Sequence, residues 1–162
     1  MKHVKIGKYQ YLLRIAVILL ATISPFICLI YYGYLPSLSS YWDTNLQPLF
    51  IIANAATSYY LYSIKDWKIS ALMLLLLTSF SLTLFPQVHN ILAVAFFIIN
   101  VYPLVKTNHF KWCIWPYLGS LVVLPWSMTI SEIIAIDTLC VYHMLLLIKA
   151  ASLSNSQNQT AI

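Results

Sequence analysis

Six apolar runs, separated by short polar breaks, constrain the fold of this chain more than any other feature. A helix that crosses a bilayer needs about 20 predominantly apolar residues, with a range of about 17–25. Several of the runs are slightly shorter than this, and we expect flanking aromatic residues to complete them. The runs are Tyr11–Tyr32, Pro48–Ser63, Ser70–Phe85, Asn90–Val105, Trp112–Trp126 and Ser131–Ile148.

Composition excludes most functions of soluble proteins. Of the 162 residues, 61% are hydrophobic and 8% are charged, whereas a soluble domain usually has about 25% charged residues. The 3 glycines leave no room for a Gly-rich phosphate loop. The 3 cysteines are scattered and form no CxxC pair, so neither a zinc module nor a disulfide framework is indicated. No cofactor and no metal are expected.

Helices are the only reasonable structure for these runs. In lipid, every backbone N–H and C=O must be paired within the protein, which only helices and closed barrels achieve. A barrel strand alternates apolar and polar residues, and a run such as ALMLLLL at 71–77 does not alternate. The sequence therefore predicts an all-α polytopic membrane bundle with six transmembrane helices. We expect one domain, residues 1–151, followed by a polar, disordered tail at 152–162.

The basic residues indicate the orientation of the chain. With six spans, every basic residue falls on the side that also holds both termini, and positive residues mark the cytoplasmic side. We therefore expect cytoplasmic termini, in a plasma membrane or a bacterial inner membrane. The net charge of +5 reflects this topology and not a nucleic-acid partner, because the lysines are spread singly. The basic residues are Lys2, Lys5, Lys8, Arg14, Lys65, Lys68, Lys106, Lys111 and Lys149.

Ionisable residues inside a membrane span are functional candidates by default. Three predicted helices start in the outer half of the bundle, where unpaired N–H groups favour anionic ligands. We interpret the polar residues there as an outward-facing pocket, covered by the loop 33–47, that binds a lipid head group or a small polar ligand. A purely structural alternative is a helix cap, a solvated loop residue and an interfacial histidine. The candidate ligand-binding residues are Asp43, His89, Asn90, Glu132 and Asp137.

The sixth run places its polar residues on two faces. At about 100° per residue, Asp137 lies roughly 140° away from Glu132. His143 lies roughly 16 Å from Glu132 along the axis, so we expect an interior, hydrogen-bonded histidine outside the pocket. His89 is predicted to lie within side-chain reach of Glu132 or Asp137. One stripe of this helix contains Glu132, Ile136, Leu139 and His143.

Short motifs in the chain resemble the Frag/DRAM/Sfk-type membrane proteins. Leu35-Pro36-Ser37-Leu38-Ser39 resembles the luminal LPS(V/I)S segment of that family, and Val88-His89-Asn90 resembles the His-containing start of its middle helix. Glu132, Asp137 and Tyr142-His143 resemble its last helix. The chain lacks the family's longer loops, and Ser39-Ser40-Tyr41 departs from the acidic or glycine continuation of some members. The resemblance implies six spans and a lipid-linked role, with no catalytic residue carried over.

Three functions remain open at this point. The first is recognition of membrane lipids, or organisation of other membrane proteins, without catalysis. The second is an intramembrane hydrolase with a metal on His89, for which Asp43, Glu132 or Asp137 must supply the other ligands, a carboxylate-rich set for zinc. The third is a small transporter or channel, against which the unsplit helices argue. Seryl hydroxyls of the outer loop, next to His and Asp, are also a candidate nucleophile set.

Overall fold

The computed structural model of the protein describes residues 8–107 and 109–159. These residues form helices and connecting turns without any strand, which confirms the predicted all-α class. Short 3₁₀ turns precede α2, α3 and α5, at Leu38–Asp43, Lys65–Trp67 and Lys111–Cys113. The six α-helices are α1 (Lys8–Tyr32), α2 (Gln47–Tyr62), α3 (Lys68–Ser79), α4 (Pro86–Lys106), α5 (Ile114–Val123) and α6 (Met128–Gln159).

The six helices close into a single bundle. Each helix packs against the next one along the chain, and α6 packs back against α1. Apolar side chains from every helix meet inside, because each helix turns one face inward and leaves the others exposed. This core includes Ile18, Leu61, Leu74, Phe96, Tyr117 and Leu139.

One end of the bundle, called the loop end here, is formed by the connections 33–46, 80–85 and 124–127. These connections are hydrogen-bonded to one another across long stretches of sequence. The Tyr34 and Ser127 hydroxyls are hydrogen-bonded, and the Thr83 hydroxyl donates to the Asp43 carboxylate. The three connections contain no Lys or Arg.

The opposite end, called the basic end here, is formed by the connections 63–67 and 107–113. Lys106 Nζ pairs with Asp66 Oδ1 at 2.7 Å, and Lys149 Nζ lies 3.1 Å from His109 Nδ1. Successive helices therefore run in opposite directions, and the basic residues gather at one end as the sequence predicts. Lys2 and Lys5 lie outside the described residues.

Three of the helices are long and apolar enough to cross a membrane: Tyr9–Tyr32, Pro86–Lys106 and Met128–Leu153. The other three, α2, α3 and α5, contain 16, 12 and 10 residues. At 1.5 Å per residue these helices measure about 24, 18 and 15 Å, which is less than the roughly 30 Å of a bilayer core. Each predicted run therefore overlaps a helix, but among the described residues only three helices are long enough to be full-length candidates.

Several predicted boundaries were wrong. The third run was predicted to reach Phe85, but α3 ends at Ser79, because the Ser81 hydroxyl accepts the Leu84 N–H at 3.1 Å and fixes a turn. The fourth helix begins at Pro86 and not at Asn90, since proline suits the first turn of a helix. The fifth helix ends early, at Val123, ahead of the turn that contains Pro125.

The sixth helix is longer than predicted at both ends. It begins at Met128 and not at Ser131, and its Ser131 N–H donates to the Ser127 carbonyl at 3.1 Å. The tail from 152 was predicted to be disordered, but the helix continues through Gln159. This continuation follows from i→i−4 backbone bonds, which extend a helix that is already nucleated at little further cost.

Candidate functional site

The connection 33–46 folds back over the loop end of the bundle, and Tyr41 holds it in place. The side chain of Tyr41 is fully buried. Its hydroxyl donates to the Gly33 carbonyl at 2.6 Å and accepts the Leu35 N–H at 3.3 Å. Burial raises the pKa of the Tyr41 hydroxyl, which therefore keeps its proton and remains a donor. Gly33 adopts a φ of +72°, which glycine tolerates without strain.

Two consecutive residues of this connection reach two different helices. The Leu38 N–H donates to Glu132 Oε2 on α6 at 2.6 Å. The Ser39 hydroxyl lies 2.8 Å from His89 Nε2 on α4. His89 Nδ1 in turn lies 2.6 Å from the carbonyl oxygen of Phe80, the residue that directly follows α3. The 3₁₀ turn is thus hydrogen-bonded to α4 and α6, and through His89 it is connected to the end of α3.

Burial makes these hydrogen bonds consequential. Ser39, His89 and Glu132 are 5%, 3% and 6% exposed. A buried polar group without a partner costs about 1–3 kcal/mol, so each bond helps to determine the conformation of the 3₁₀ turn. The Phe80 carbonyl is also one of the unpaired acceptors that the end of a helix leaves, and His89 satisfies it.

His89 and Glu132 therefore both lie under the connection, at the end of the bundle where the sequence predicts them. His89 was predicted to lie within side-chain reach of Glu132 or Asp137, and no hydrogen bond or ion pair joins it to either of them among the described residues. Among the described residues, the only ion pair is that between Lys106 and Asp66. The 3₁₀ turn binds one polar atom of each side chain, Nε2 of His89 and Oε2 of Glu132. Their link is indirect and runs through the adjacent residues Leu38 and Ser39.

The other three predicted site residues are not part of this group. Asp43 and Asn90 are exposed, and Asp43 accepts a hydrogen bond from Thr83. Asp137 is partly buried, and its Oδ1 atom is buried without a hydrogen-bond partner. Asp137 does not line the cavity described next, as its position about 140° around the helix predicts.

Ser39 is the member of the site that sequence reasoning did not single out. Its neighbours Ser37 and Ser40 share the same connection, and their hydroxyls lie 3.0 Å from each other. Nothing in the sequence separates the three serines. The choice of Ser39 depends on the backbone of the 3₁₀ turn, which directs this one hydroxyl towards α4.

An apolar cavity of about 120 Å³ lies inside the bundle, directly below the connection. Side chains of α1, α2, α3, α4 and α6 line it. Its wall contains Ser39 and Glu132 towards the loop end, and Tyr60 and His143 towards the basic end. Glu132 and His143 are separated by roughly 16 Å along α6. The predicted stripe of the sixth helix is confirmed, because Glu132, Ile136, Leu139 and His143 all line the cavity.

His143 is the interior, hydrogen-bonded histidine that the sequence predicts. It is 3% exposed, and its Nδ1 atom lies 3.2 Å from the Tyr60 hydroxyl. The rings of Trp67 and Tyr142 pack against it. Its hydrogen bond and ring contacts all involve residues other than His89, Ser39 and Glu132.

The acidic and histidine side chains do not converge on one point. Within residues 8–107 and 109–159, no three His, Cys, Asp or Glu side chains lie close enough together to hold a metal ion. The metal-dependent alternative required His89 and two carboxylates at one point, and this arrangement gives it no support.

Comparison with known proteins adds no relative: no family model, no curated protein and no solved structure matches this chain. The function is therefore inferred from the geometry of the loop end and of the cavity. Two features are the main basis for that inference: the hydrogen-bonded Ser39–His89 pair and the apolar cavity that begins beside it.

Proposed function

We propose that the protein is a six-span membrane protein that holds a segment of one alkyl chain of a lipid inside the bundle, with the polar part of that lipid at the loop end. Both termini are cytoplasmic in this proposal, and the loop end faces outwards. The membrane is a plasma membrane or a bacterial inner membrane. This is the kind of lipid-linked role that the resemblance to the Frag/DRAM/Sfk-type proteins implies.

The observation that carries the proposal is the shape and lining of the cavity. Its volume of about 120 Å³ is similar to that of an engineered apolar cavity, about 150 Å³, that stays dry and binds benzene. The cavity is nevertheless lined over roughly 16 Å of α6. A volume of this size holds about as many carbon atoms as benzene has, so it suits a short segment of one narrow chain and not a whole long chain. Its wall is mostly apolar, with Ser39 and Glu132 at one end.

The outer surface of the bundle supports a membrane location. Large apolar side chains are exposed on all six helices, for example Ile30 at 85%, Ile91 at 69% and Trp115 at 73%. A soluble monomer rarely exposes contiguous apolar patches of more than a few hundred Å². The short helices α2, α3 and α5 are extended at their ends by turns rich in Trp and Phe, which suit the membrane interface.

The alternative of a small transporter or channel has less support. A route for a polar solute needs polar groups along its length, whereas this cavity is mostly apolar between its two ends. The helices around it also lack the paired breaks that mark many transporter sites. Pro25, inside α1, lines the cavity, but Pro103 lies near the end of α4, away from the cavity wall, so the two do not form a pair of breaks around it.

Lipid occupancy is tested by filling the cavity. The full-length protein is purified in mild detergent, and co-purifying lipid is quantified by mass spectrometry. Ala53→Phe places a ring in the cavity wall on α2, and Ala55→Phe places the same ring on the exposed face of that helix. We expect Ala53→Phe to remove most of the bound lipid and Ala55→Phe to retain it. Equal occupancy in both variants would contradict the proposal.

The six-span topology is tested independently with reporter fusions. Fusions after Lys65, Lys106 and the C-terminus are expected to report the cytoplasm. Fusions after Gln87 and Ser127 are expected to report the outside. An external C-terminus would overturn the topology and place the loop end on the wrong side of the membrane.

A further inference from the structure

The Ser39–His89 pair has the geometry of a serine nucleophile beside its general base. The hydroxyl oxygen and Nε2 are 2.8 Å apart, within the 2.6–3.2 Å that such a pair requires. The two residues are separated by 50 positions in the chain, so the contact is created by the fold and not by local sequence.

The tautomer of His89 follows from its second contact. The Phe80 carbonyl oxygen, 2.6 Å from Nδ1, can only accept a hydrogen bond. Nδ1 must therefore carry a proton, which leaves Nε2 of the neutral imidazole as an acceptor. The Ser39 hydroxyl then donates to Nε2, which is the direction in which a base draws a proton from a nucleophile.

In sites with a serine nucleophile and a histidine base, a third residue usually orients the histidine. Here the Phe80 carbonyl has that role. It fixes the orientation of the imidazole, and it faces the proton that remains on Nδ1 when His89 becomes charged. A base held by a third group is the general signature of an activated nucleophile. That group is available because α3 ends at Ser79, so the next carbonyl lies outside the helix.

The position of the serine points to the substrate. Ser39 is part of the cavity wall, whereas its neighbours Ser37 and Ser40 are not. An alkyl chain inside the cavity brings the group at its head next to the Ser39 hydroxyl. Glu132, also in the wall, binds the Leu38 N–H and so holds the residue that precedes the serine.

We propose that Ser39 and His89 catalyse acyl transfer from a lipid ester, with the carbonyl-end segment of its acyl chain in the cavity, Ser39 as nucleophile and His89 as general base. This inference rests on the proposed lipid binding. The substrate class is a long-chain carboxylic ester of a membrane lipid, and the acceptor of the acyl group is water.

The steps balance without any oxidant or reductant. Ser39 Oγ forms a bond to the ester carbonyl carbon while its proton moves to Nε2 of His89. The ester C–O bond then breaks, and the departing alkoxide takes that proton and leaves as an alcohol. Water attacks the acyl-serine carbonyl and gives a proton to His89, and the serine oxygen recovers this proton as it departs. The products are a carboxylic acid and an alcohol.

The reactivity of Ser39 is tested with a fluorophosphonate that carries a long alkyl chain. Attack by the hydroxyl forms a P–O bond and releases fluoride, so intact mass spectrometry detects the adduct and peptide mapping locates it. We expect one adduct, at Ser39. A second fluorophosphonate with a methyl group in place of the chain is expected to react at least about tenfold more slowly, because it does not fill the cavity.

Three variants separate catalysis from folding. Ser37→Ala removes an equally buried hydroxyl from the same turn and is expected to leave labelling unchanged, whereas Ser39→Ala abolishes it. His89→Asn is expected to slow labelling about 100-fold or more, the usual contribution of a general base. Because His89→Asn can also destabilise the bundle, its rate is measured on protein shown to be folded by circular dichroism.

The outcomes distinguish this inference from lipid binding. An adduct at Ser39 that depends on chain length supports both. Co-purifying lipid together with no adduct, or with an adduct elsewhere, overturns the catalytic inference and leaves lipid binding intact. An adduct at Ser39 that forms equally fast with both probes, in protein without lipid, supports the reactive pair but overturns the assignment of a lipid ester as substrate.

Discussion

The two buried histidines lie in opposite kinds of surroundings. His89, at the loop end, has both ring nitrogens hydrogen-bonded, to the Ser39 hydroxyl and the Phe80 carbonyl. His143, towards the basic end, has one hydrogen bond, with the Tyr60 hydroxyl, and its Nε2 atom is buried without a partner. It is surrounded instead by aromatic rings, with the Trp67 centroid 4.4 Å away.

This difference separates a region held by directional bonds from one held by packing. At the loop end, hydrogen bonds that link distant parts of the chain hold a turn of defined conformation. Near His143, the structure is stabilised mainly by close packing among large aromatic rings. A hydrogen bond fails when one partner is changed, whereas packing depends on volume. Substitutions that keep shape but remove polar atoms should therefore affect the two regions differently.

The largest effect is expected from removing the ring that packs against His143. Trp67 is 1% exposed, so Trp67→Ala leaves a large cavity and should cost about 3–5 kcal/mol of unfolding free energy. Trp126→Ala, at an 80% exposed position, should stay within about 0.5 kcal/mol. Unfolding in mixed micelles, followed by circular dichroism, measures both. Similar losses would mean that Trp67 is not part of a packed core.

A sharper test replaces each histidine with a ring of similar shape. His89→Phe leaves the Phe80 carbonyl and the Ser39 hydroxyl without their partner, so we expect a loss of about 2 kcal/mol or more. His143→Phe keeps the aromatic packing and removes an unpartnered nitrogen, but it leaves one group, the Tyr60 hydroxyl, without its partner. We therefore expect a smaller loss, of about 1 kcal/mol. The same unfolding assay applies, and an equal cost would remove the contrast between the two regions.

The sequence predicts that His89 should matter more than His143 for stability, but for a different reason. Its charge pattern suggests an ion pair with Glu132 or Asp137. In the structure His89 binds a hydroxyl and a carbonyl instead. Charges and residue spacing place His89 and Glu132 at one end of the bundle, but the partner of each depends on how the 3₁₀ turn folds.

The extent of the helices shows a similar division. Long apolar runs predict that α1, α4 and α6 exist, because every residue of such a run favours a helix, but they do not predict where α4 begins or where α6 begins and ends. The early end of α3 is not visible in the apolar pattern, which continues to Phe85. It depends on a local bond of the Ser81 hydroxyl, and that bond leaves Phe80 free to orient His89.

A smaller effect is expected at the second contact of the turn. Glu132→Leu removes the acceptor of the Leu38 N–H, so we expect a loss of about 1 kcal/mol. Glu132→Gln keeps an amide oxygen that can accept the same bond, and its loss should be under 1 kcal/mol. The two variants are compared in the same micelles, and a larger loss for Gln than for Leu would show that the carboxylate has a role beyond this bond.

The smallest effect is expected at the ion pair of the basic end. Lys106 and Asp66 are 2.7 Å apart, but their side chains are 48% and 28% exposed. Ion pairs exposed to water stabilise proteins little, since water and salt screen them and two side chains lose freedom. Lys106→Met should therefore unfold at the same midpoint as the parent protein, at low and at high salt. A midpoint that falls only at low salt would mean that electrostatic attraction also holds the basic end, and that packing is not its main source of stability.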